Sequence, residues 1–137
     1  MADFEKVGLL TFRDGRILMC RKDHFTSKLI LPGGRIEADE TLLECLQREI
    51  GEELGEVRPV NISPVGVYED IAHADDPTVK KSLKLHLFQG DLVGEPTPMS
   101  EIAALVWFGP DSNTDDLTPI FINKILPDLR QRGLIGW

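Results

Sequence analysis

The stretch from Gly33 to Val57, which reads GGRIEADETLLECLQREIGEELGEV, constrains the fold of this chain more than any other. Its apolar residues recur at steps of three and four, so they fall on one stripe of an α-helix. We expect this helix to begin near Asp39 or Thr41, either of which could cap it, and to end at Gly55. The stripe, which should hold the helix against a sheet, consists of Leu42, Leu43, Leu46, Ile50 and Leu54.

The acidic residues of the same helix form a separate group. Glu49, Glu52 and Glu53 stand at positions i, i+3 and i+4, which places three carboxylates over about one helical turn. Like charges this close repel each other unless a cation lies among them, and hard oxygen donors on a rigid element suit Mg²⁺, with Mn²⁺ as a substitute. The three glutamates are therefore the candidate metal site.

Length and charge limit the classes of protein to which the chain can belong. Its 137 residues are a typical size for one domain, and we expect a single domain over residues 1–137. The net charge of −8 opposes binding along a long nucleic acid or an anionic membrane, because both need a basic surface. The sequence shows neither a signal-peptide pattern nor an apolar run of membrane-spanning length, so we expect a cytoplasmic protein.

Cysteine and histidine usage points to no second kind of site. Cys20 and Cys45 are too few for a disulfide framework, and we expect both to be buried thiols. His24, His73 and His86 do not cluster with them at the spacing of a metal site and stay unassigned.

Short strands alternate with loops along the rest of the chain. Val7 to Thr11 and Ile17 to Cys20, joined around Asp14-Gly15, predict a hairpin. A short apolar run, Leu29 to Leu31, then stops at Pro32. We expect further strands at 62–69, 81–91 and 101–108, and a mobile loop at 70–78.

A second helix should begin at Thr118-Pro119, where a capping residue precedes a first-turn proline. We expect Pro127 to kink it, because proline cannot donate a backbone hydrogen bond to Asn123. Strands and two separated helices in this order predict an α/β (α+β) fold in which a mixed β-sheet lies between helices. The apolar stripe of this helix is Phe121, Ile122, Ile125, Leu126 and Leu129.

The first helix and its entry contain a longer pattern. It reads Gly34, five residues, Glu40, seven residues, Arg48-Glu49-Ile50, one residue, Glu52-Glu53, one residue and Gly55. This resembles the signature of the Nudix hydrolase family, and every fixed glycine, arginine and glutamate of that signature is present. The resemblance implies the Nudix α/β/α sandwich and Mg²⁺-dependent hydrolysis of a pyrophosphate bond.

The resemblance also implies a role for each residue of the pattern. Glu49, Glu52 and Glu53 would be metal ligands, Glu52 and Glu53 would also serve catalysis, and Arg48 would orient Glu49 or Glu52. Arg48 and Glu52 are i, i+4 neighbours, so they should pair.

The remaining residues of the pattern are implied to be structural. Glu40 would brace the junction of loop and helix, and Gly34 and Gly55 would shape the two ends. Glu56 departs from the family, which usually has an aliphatic residue there, and we expect Val57 to take over that packing role.

The likeness extends beyond this pattern to MutT-like members, which cleave nucleoside triphosphates. It includes Arg21, the run from His24 to Lys28, the entry Leu31-Pro32-Gly33-Gly34, and Glu101 with Trp107. The candidate substrate-binding residues are Arg21, Phe25, Leu31, Gly33 and Gly34. Arg21 could hold a phosphate bidentately, and Phe25 or Tyr68 could stack on a base.

The general base is the least determined residue. Glu101, at the start of the last strand, could reach the attacking water or add a metal ligand, and Glu95 is its rival. Substrate choice should lie in the loops around Phe25, 70–78 and 95–101.

Our interpretation is a Nudix pyrophosphohydrolase for a nucleoside diphosphate linked to a further group, with a small nucleoside triphosphate-type substrate favoured. Dinucleotide or ADP-ribose-type substrates, and a nucleotide-sensing Nudix domain without catalysis, are the alternatives. An isopentenyl diphosphate isomerase on the same fold would need a catalytic cysteine, and neither Cys20 nor Cys45 is placed as one. A homodimer is one expected state, because many relatives dimerise.

Overall fold

The computed structural model describes residues 2–137, in which two α-helices lie against eight strands. The prediction of a mixed α and β architecture is confirmed. In chain order the elements are β1 (Phe4–Leu10), β2 (Phe12–Arg13), β3 (Arg16–Lys22), β4 (Leu29–Ile30), β5 (Gly33–Arg35), α1 (Leu42–Leu54), β6 (Arg58–Ala72), β7 (Lys81–Val93), β8 (Ile102–Phe108), a 3₁₀ turn (Thr114–Asp116), a π-helical turn (Phe121–Ile125) and α2 (Leu126–Gln131).

The strands form two sheets of four. The larger sheet has the order β5-β1-β7-β6, in which β1 and β7 run parallel and the other pairs are antiparallel. In the smaller sheet β3 pairs with β2, β4 and β8, all antiparallel. The predicted mixed pairing is therefore present in the larger sheet.

The first hairpin differs from its prediction. The segments 7–11 and 17–20 were expected to pair along their length, but β1 belongs to the larger sheet and only the short β2 pairs with β3. The chain passes from one sheet to the other at Thr11, whose carbonyl accepts a hydrogen bond from Leu18. Asp14 and Gly15 form the turn, both at positive φ, as the Asp-Gly pair predicts.

The strand predicted at 62–69 is longer than expected. β6 runs from Arg58 to Ala72, so it includes Pro59, which lies before the predicted strand, as well as Pro64, which lies within it. An edge strand tolerates proline because one side of its backbone has no partner strand, and the β6–β7 register shifts beside Pro64. The loop predicted at 70–78 accordingly starts only after Ala72.

The core is divided into two apolar clusters, one on each side of the sheets. Neighbouring residues of one strand alternate between them: Leu9 and Leu18 pack with α1, whereas Leu10 and Met19 pack with the C-terminal helical segment. The sheets therefore lie between the helices. Leu43 is the exception in the predicted stripe, since it is exposed.

The second helix contains a π-helical turn that was not predicted. The Leu126 N–H donates to the Phe121 carbonyl, one residue further back than in an α-helix, immediately before Pro127. The irregularity expected at Pro127 thus takes the form of a wider turn. Among residues 2–137, no helix has the length and hydrophobicity needed to cross a bilayer.

Candidate active site

Local hydrogen bonds fix both ends of α1. Of the two predicted caps, Thr41 is the one used: its hydroxyl accepts from the Glu44 N–H, and the Glu44 carboxylate accepts from the Thr41 N–H. At the other end Gly55 adopts a φ of 85°, as predicted for a glycine that ends the helix. The positions of the glutamates along α1 follow from these two ends.

Arg48 connects the acidic residues of the helix and its entry. Its guanidinium donates to both oxygens of Glu40, at 2.6 and 3.0 Å, and to Glu49 at 2.8 Å. The predicted pair with Glu52 is present at 3.2 Å, and the Arg35 carbonyl accepts a further bond. These contacts lower the pKa of Glu40 to about 2 and raise the pKa of Arg48 above its usual range.

Glu53 is a buried carboxylate. Only 4% of the residue is exposed, and its Oε1 accepts a hydrogen bond of 2.8 Å from the Gly33 N–H. Burial raises its pKa to about 8, and the negative charges of Glu49 and Glu101 add to the effect. Burial likewise raises the pKa of Glu49. A bound cation would relieve this accumulation of negative charge.

Two glycines let the main chain of β5 approach these carboxylates. A Cβ at Gly33 would lie 2.0 Å from the Val7 carbonyl oxygen, and φ there is 147°, so only glycine fits without strain. A Cβ at Gly34 would lie 2.3 Å from the Glu49 carboxyl group. Gly34 therefore leaves the space that the Glu49 carboxylate occupies.

A cavity of about 330 Å³ opens in front of these groups. Carboxylates form one wall, namely Glu49 and Glu53 of α1 and Glu101 at the start of β8. We group the cationic and aromatic side chains of the lining as a second wall, which meets the first where Lys22 pairs with Glu101, and the Phe4 and Phe25 rings in it meet edge to face with centroids 6.1 Å apart. The residues of this second wall are Phe4, Lys6, Lys22, His24, Phe25 and Arg35.

The donor set fits a hard divalent cation by its chemistry. The carboxylate wall offers oxygen donors, which suit Mg²⁺ or Mn²⁺. Within residues 2–137, no three acidic, histidine or cysteine side chains already stand at ligating distance from a common point. Glu49 is held by Arg48 and Glu53 by Gly33, but the two are i, i+4 neighbours, so rotation of their side chains would bring them together.

Glu52 differs from the other two predicted ligands. Its side chain is 53% exposed, does not line the cavity, and pairs with Arg48 on the outer side of α1. The structure thus brings Glu49 and Glu53 together with Glu101, whereas Glu52 lies at the rim.

A second, apolar cavity of about 80 Å³ adjoins the first. It lies between the larger sheet and the C-terminal helical segment, and its walls include Leu31, Leu85 and Ile120. The buried Thr26 hydroxyl, 2.6 Å from Nδ1 of His73, is a polar group in the wall. A ligand with a planar apolar part and a charged tail could occupy both cavities. They share Lys6, Lys22, Phe25, Ile30, Gly33 and Gly34.

The family model of the NUDIX domain matches residues 5–129. This chain belongs to the NUDIX domain family. The MutT NUDIX hydrolase from Burkholderia pseudomallei is 26% identical, with a TM-score of 0.72 over 93% of this chain and 96% of that one. The E. coli ORF135 protein is 25% identical, with a TM-score of 0.72 over 96% and 91%. No curated protein gives a significant match.

An ADP-ribose pyrophosphatase from Streptococcus suis shares the fold at 18% identity, with a TM-score of 0.61 over 98% of this chain and 95% of that one. The predictions of Nudix membership, fold and enzyme class are thereby confirmed. The chain is a Nudix pyrophosphohydrolase, a family whose members act on small nucleotide substrates.

Of the two candidate general bases, Glu101 and Glu95, only one lines the cavity of about 330 Å³. Glu101 lies in its wall, with its carboxylate 3.3 Å from Nζ of Lys22 and 3.5 Å from Nε2 of His24. Glu95 does not line the cavity, since it pairs with Arg13 and its side chain is 74% exposed. The geometry therefore favours Glu101.

The predicted phosphate-binding arginine lies outside both cavities. Arg21 donates to the Ser27 carbonyl at 2.6 Å and lies 3.7 Å from Asp116. Its neighbour Lys22 lines both cavities instead. The β3–β8 register shifts between Arg21 and Lys22, so the regular alternation of the strand is interrupted there, and spacing in the sequence does not decide which of the two side chains enters the cavities.

The other predicted substrate-binding residues lie where a ligand would reach them. Phe25, Gly33 and Gly34 line both cavities, and Leu31 lines the apolar one. Tyr68 is buried in the core instead, where its hydroxyl bonds to Asp128. Sequence reasoning missed Lys6, Lys22, Arg35, Thr26 and His73, which become neighbours only when distant segments fold together.

Val57 and the two cysteines match their expectations. Val57 packs into the cluster beneath α1 while Glu56 is exposed, so the departure at Glu56 leaves the apolar contact in place. Cys20 and Cys45 are both buried, and burial raises the pKa of each thiol, that of Cys45 to about 12. Neither is an activated nucleophile.

Proposed function

We propose that this Nudix hydrolase cleaves the pyrophosphate bond of a nucleoside diphosphate linked to a further group, in a Mg²⁺-dependent reaction. A nucleoside triphosphate-type substrate is favoured. The observation that carries the proposal is a cavity with carboxylates on one wall and cations on the other, continuous with an apolar cavity. Phosphates would lie in the first cavity and the base in the second.

The preference for a nucleoside triphosphate is supported by similarity to the MutT NUDIX hydrolase, at 26% identity. ADP-ribose and dinucleotides stay as alternative substrates, because the ADP-ribose pyrophosphatase shares only the fold.

Glu49, Glu52 and Glu53 would hold the metal, with Glu52 turning inward from the rim. When bound, Mg²⁺ neutralises phosphate charge and lowers the pKa of a bound water. Arg48 keeps the Glu49 carboxylate directed toward Gly34, and Glu40 fixes Arg48 in turn. Phosphoryl transfer depends mainly on such positioning and charge neutralisation.

The proton is assigned to the third carboxylate of the cavity, and the substrate contacts are assigned to its cationic and apolar residues. Glu101 would accept the proton of the water that attacks phosphorus, and a triphosphate would yield a nucleoside monophosphate and pyrophosphate. Lys22, in place of Arg21, would bind phosphate, and Phe25, Leu31, Gly33 and Gly34 would contact the remainder of the nucleotide.

A substrate panel with a matched pair of variants tests this function. The panel is (d)NTPs, oxidised dGTP, ADP-ribose, NADH, diadenosine polyphosphates and nucleotide sugars, with and without Mg²⁺. Glu53→Gln should lower turnover of the best substrate by about two to three orders of magnitude, comparable to loss of one electrostatic group in other active sites. Glu56→Gln, at an exposed position just after α1, should leave turnover unchanged.

Thermal melting without metal separates loss of function from loss of fold. Glu53→Gln should melt at or above the wild-type temperature, because a neutral amide replaces a buried carboxyl group whose ionisation burial disfavours, and the amide oxygen can still accept from Gly33. Near-normal turnover in Glu53→Gln would show that the metal site is wrongly assigned. Tight nucleotide binding by the wild type without phosphate release would favour the non-catalytic sensor.

We also propose that residues 1–137 form one domain of a cytoplasmic protein and that the chain dimerises. The first two proposals rest on the length and patterns of the sequence, and the dimer rests on the many family members that dimerise. Light scattering coupled to gel filtration tests the dimer, and cell fractionation tests the location.

A further inference from the structure

We propose that Lys6 binds the phosphate attached directly to the nucleoside and thereby distinguishes nucleotides from free nucleosides. Lys6 lies on β1, between Arg35 of β5 and Leu85 of β7, and lines both cavities. This inference rests on the proposed function, because it adds a specificity-determining residue to that same site.

Lys6 is the unpaired cation at the boundary of the cavities. Within residues 2–137, its Nζ has neither an ion pair within 4 Å nor a hydrogen bond. It lies over the Phe4 ring, 5.4 Å from the ring centroid, and the more distant charges of Glu53 and Glu101 raise its pKa without pairing with it. Lys22, the other lysine at this boundary, pairs with Glu101 at 3.3 Å. A half-buried ammonium group without a partner is unfavourable until an anion reaches it.

The positive charges of Arg35 and Lys22 near Lys6 also favour the binding of an anion. Arg35 also lies over the Phe4 ring, with its Cζ 4.2 Å from the ring centroid. Burial lowers the pKa of Lys6, and the positive charges of Lys22 and Arg35 lower it further. Three cations so close to each other repel, and a phosphate placed among them would be attracted by all three.

The place of Lys6 between the two cavities determines which phosphate of a bound nucleotide it would contact. A base in the apolar cavity and a metal-bound phosphate at Glu49 and Glu53 are joined through the boundary that the two cavities share. The group of a nucleotide that lies between its base-bearing sugar and its outer phosphates is the first phosphate. Lys6 therefore faces that phosphate, because Lys22 at the same boundary is paired with Glu101, and Arg35, which lines only the polar cavity, is left for the outer phosphates.

The test measures binding in the absence of divalent metal, by calorimetry or ligand-observed NMR. The probes are AMP, GMP, CMP and UMP, each compared with its own nucleoside. For the best-bound pair, Lys6→Met should weaken monophosphate binding about ten- to hundred-fold and leave nucleoside binding within about two-fold, as expected for loss of one charged hydrogen bond. Lys6→Arg should retain most of the discrimination.

Lys84→Met is the matched control. Lys84 follows Leu83 on β7. Leu83 lines the apolar cavity, so Lys84 points to the opposite face of the sheet, and it lines neither cavity. It removes the same charge from the chain, so it should leave both affinities unchanged. A loss in Lys84→Met as large as in Lys6→Met would indicate a general charge effect and overturn the inference.

The remaining outcomes separate this inference from the proposed function. If the wild type hydrolyses nucleotides but Lys6→Met keeps the wild-type ratio of nucleoside to monophosphate affinity, the Lys6 inference is wrong and the function stands. If Lys6→Met weakens nucleoside and monophosphate equally, Lys6 is structural and the inference again fails. Absence of hydrolysis by the wild type across the whole substrate panel overturns the proposed function.

Discussion

The two walls of the polar cavity are built in different ways. On the carboxylate wall, Glu49 and Glu53 come from one helix, and Arg48 of that helix and Gly34 just before it set their positions. The cationic wall is assembled from β1, β3 and β5, together with the loop that carries Phe25. Apart from Glu101, the first wall is local in sequence, whereas the second is not.

The walls also differ in how firmly their charges are held. The Arg48 guanidinium makes five hydrogen bonds to oxygen atoms around it and one to the Cys45 sulfur, whereas the Lys6 ammonium makes none to residues 2–137. A group that is already paired inside the protein maintains geometry, while an unpaired one is available to a ligand. We therefore assign the chemistry to the carboxylate wall and recognition to the cationic wall, as the proposed function requires.

The largest loss of activity in these tests should come from displacing the Glu49 carboxylate of the carboxylate wall. In Gly34→Ala the new Cβ meets the end of the flexible Glu49 side chain, so the side chain should move while the main chain stays. A displacement of about 1 Å at a catalytic group can cost roughly 100-fold, and we expect a loss of that size in kcat/KM. Steady-state kinetics on the best substrate measure it.

Gly51→Ala is the control for this variant. Nothing lies within 4 Å of a Cβ at Gly51, which is an exposed position inside α1, so activity should be unchanged and unfolding free energy should rise by about 0.5–1 kcal/mol. Full activity in Gly34→Ala would mean that the Glu49 position does not matter for catalysis.

The next test compares Lys22, which belongs to the cationic wall, with its neighbour Arg21, which lies outside both cavities. Lys22→Met should raise KM about ten-fold, because Lys22 lines both cavities. Arg21→Met should change KM less than two-fold, because Arg21 is engaged with Ser27 and Asp116 outside them. Kinetics of the two variants side by side decide the matter. The reverse order of effects would restore the phosphate role predicted for Arg21 and remove it from Lys22.

Local patterns explain how much of the site was predictable. The helix end at Gly55 and the Arg48–Glu52 pair lie within one helix, so spacing places them, and it limits the helix start to Asp39 or Thr41. Spacing did not separate the buried Glu53 from the exposed Glu52. Lys6 and His73 become part of the site only through pairing of distant strands, a register that spacing within one segment does not contain.

The fold shows the same division. Strand and helix types followed from periodicity, but the boundaries of β6 did not, because its prolines are tolerated only on the edge that the sheet order gives it. The π-helical turn was likewise invisible, since Pro127 alone does not specify how the preceding residues rearrange. Tertiary contacts therefore determine both the bounds of β6 and the π-helical turn.

The smallest effect should come from the apolar cavity, which we assign to the base. Ala72 lies in its wall, so Ala72→Leu should fill part of the cavity and raise KM several-fold while kcat changes little, because the carboxylate wall is untouched. Ala103→Leu adds the same atoms at an exposed position of β8 and should change neither constant. A fall in kcat with unchanged KM in Ala72→Leu would mean that the base binds elsewhere, because loss of room for the base should weaken binding before it slows chemistry.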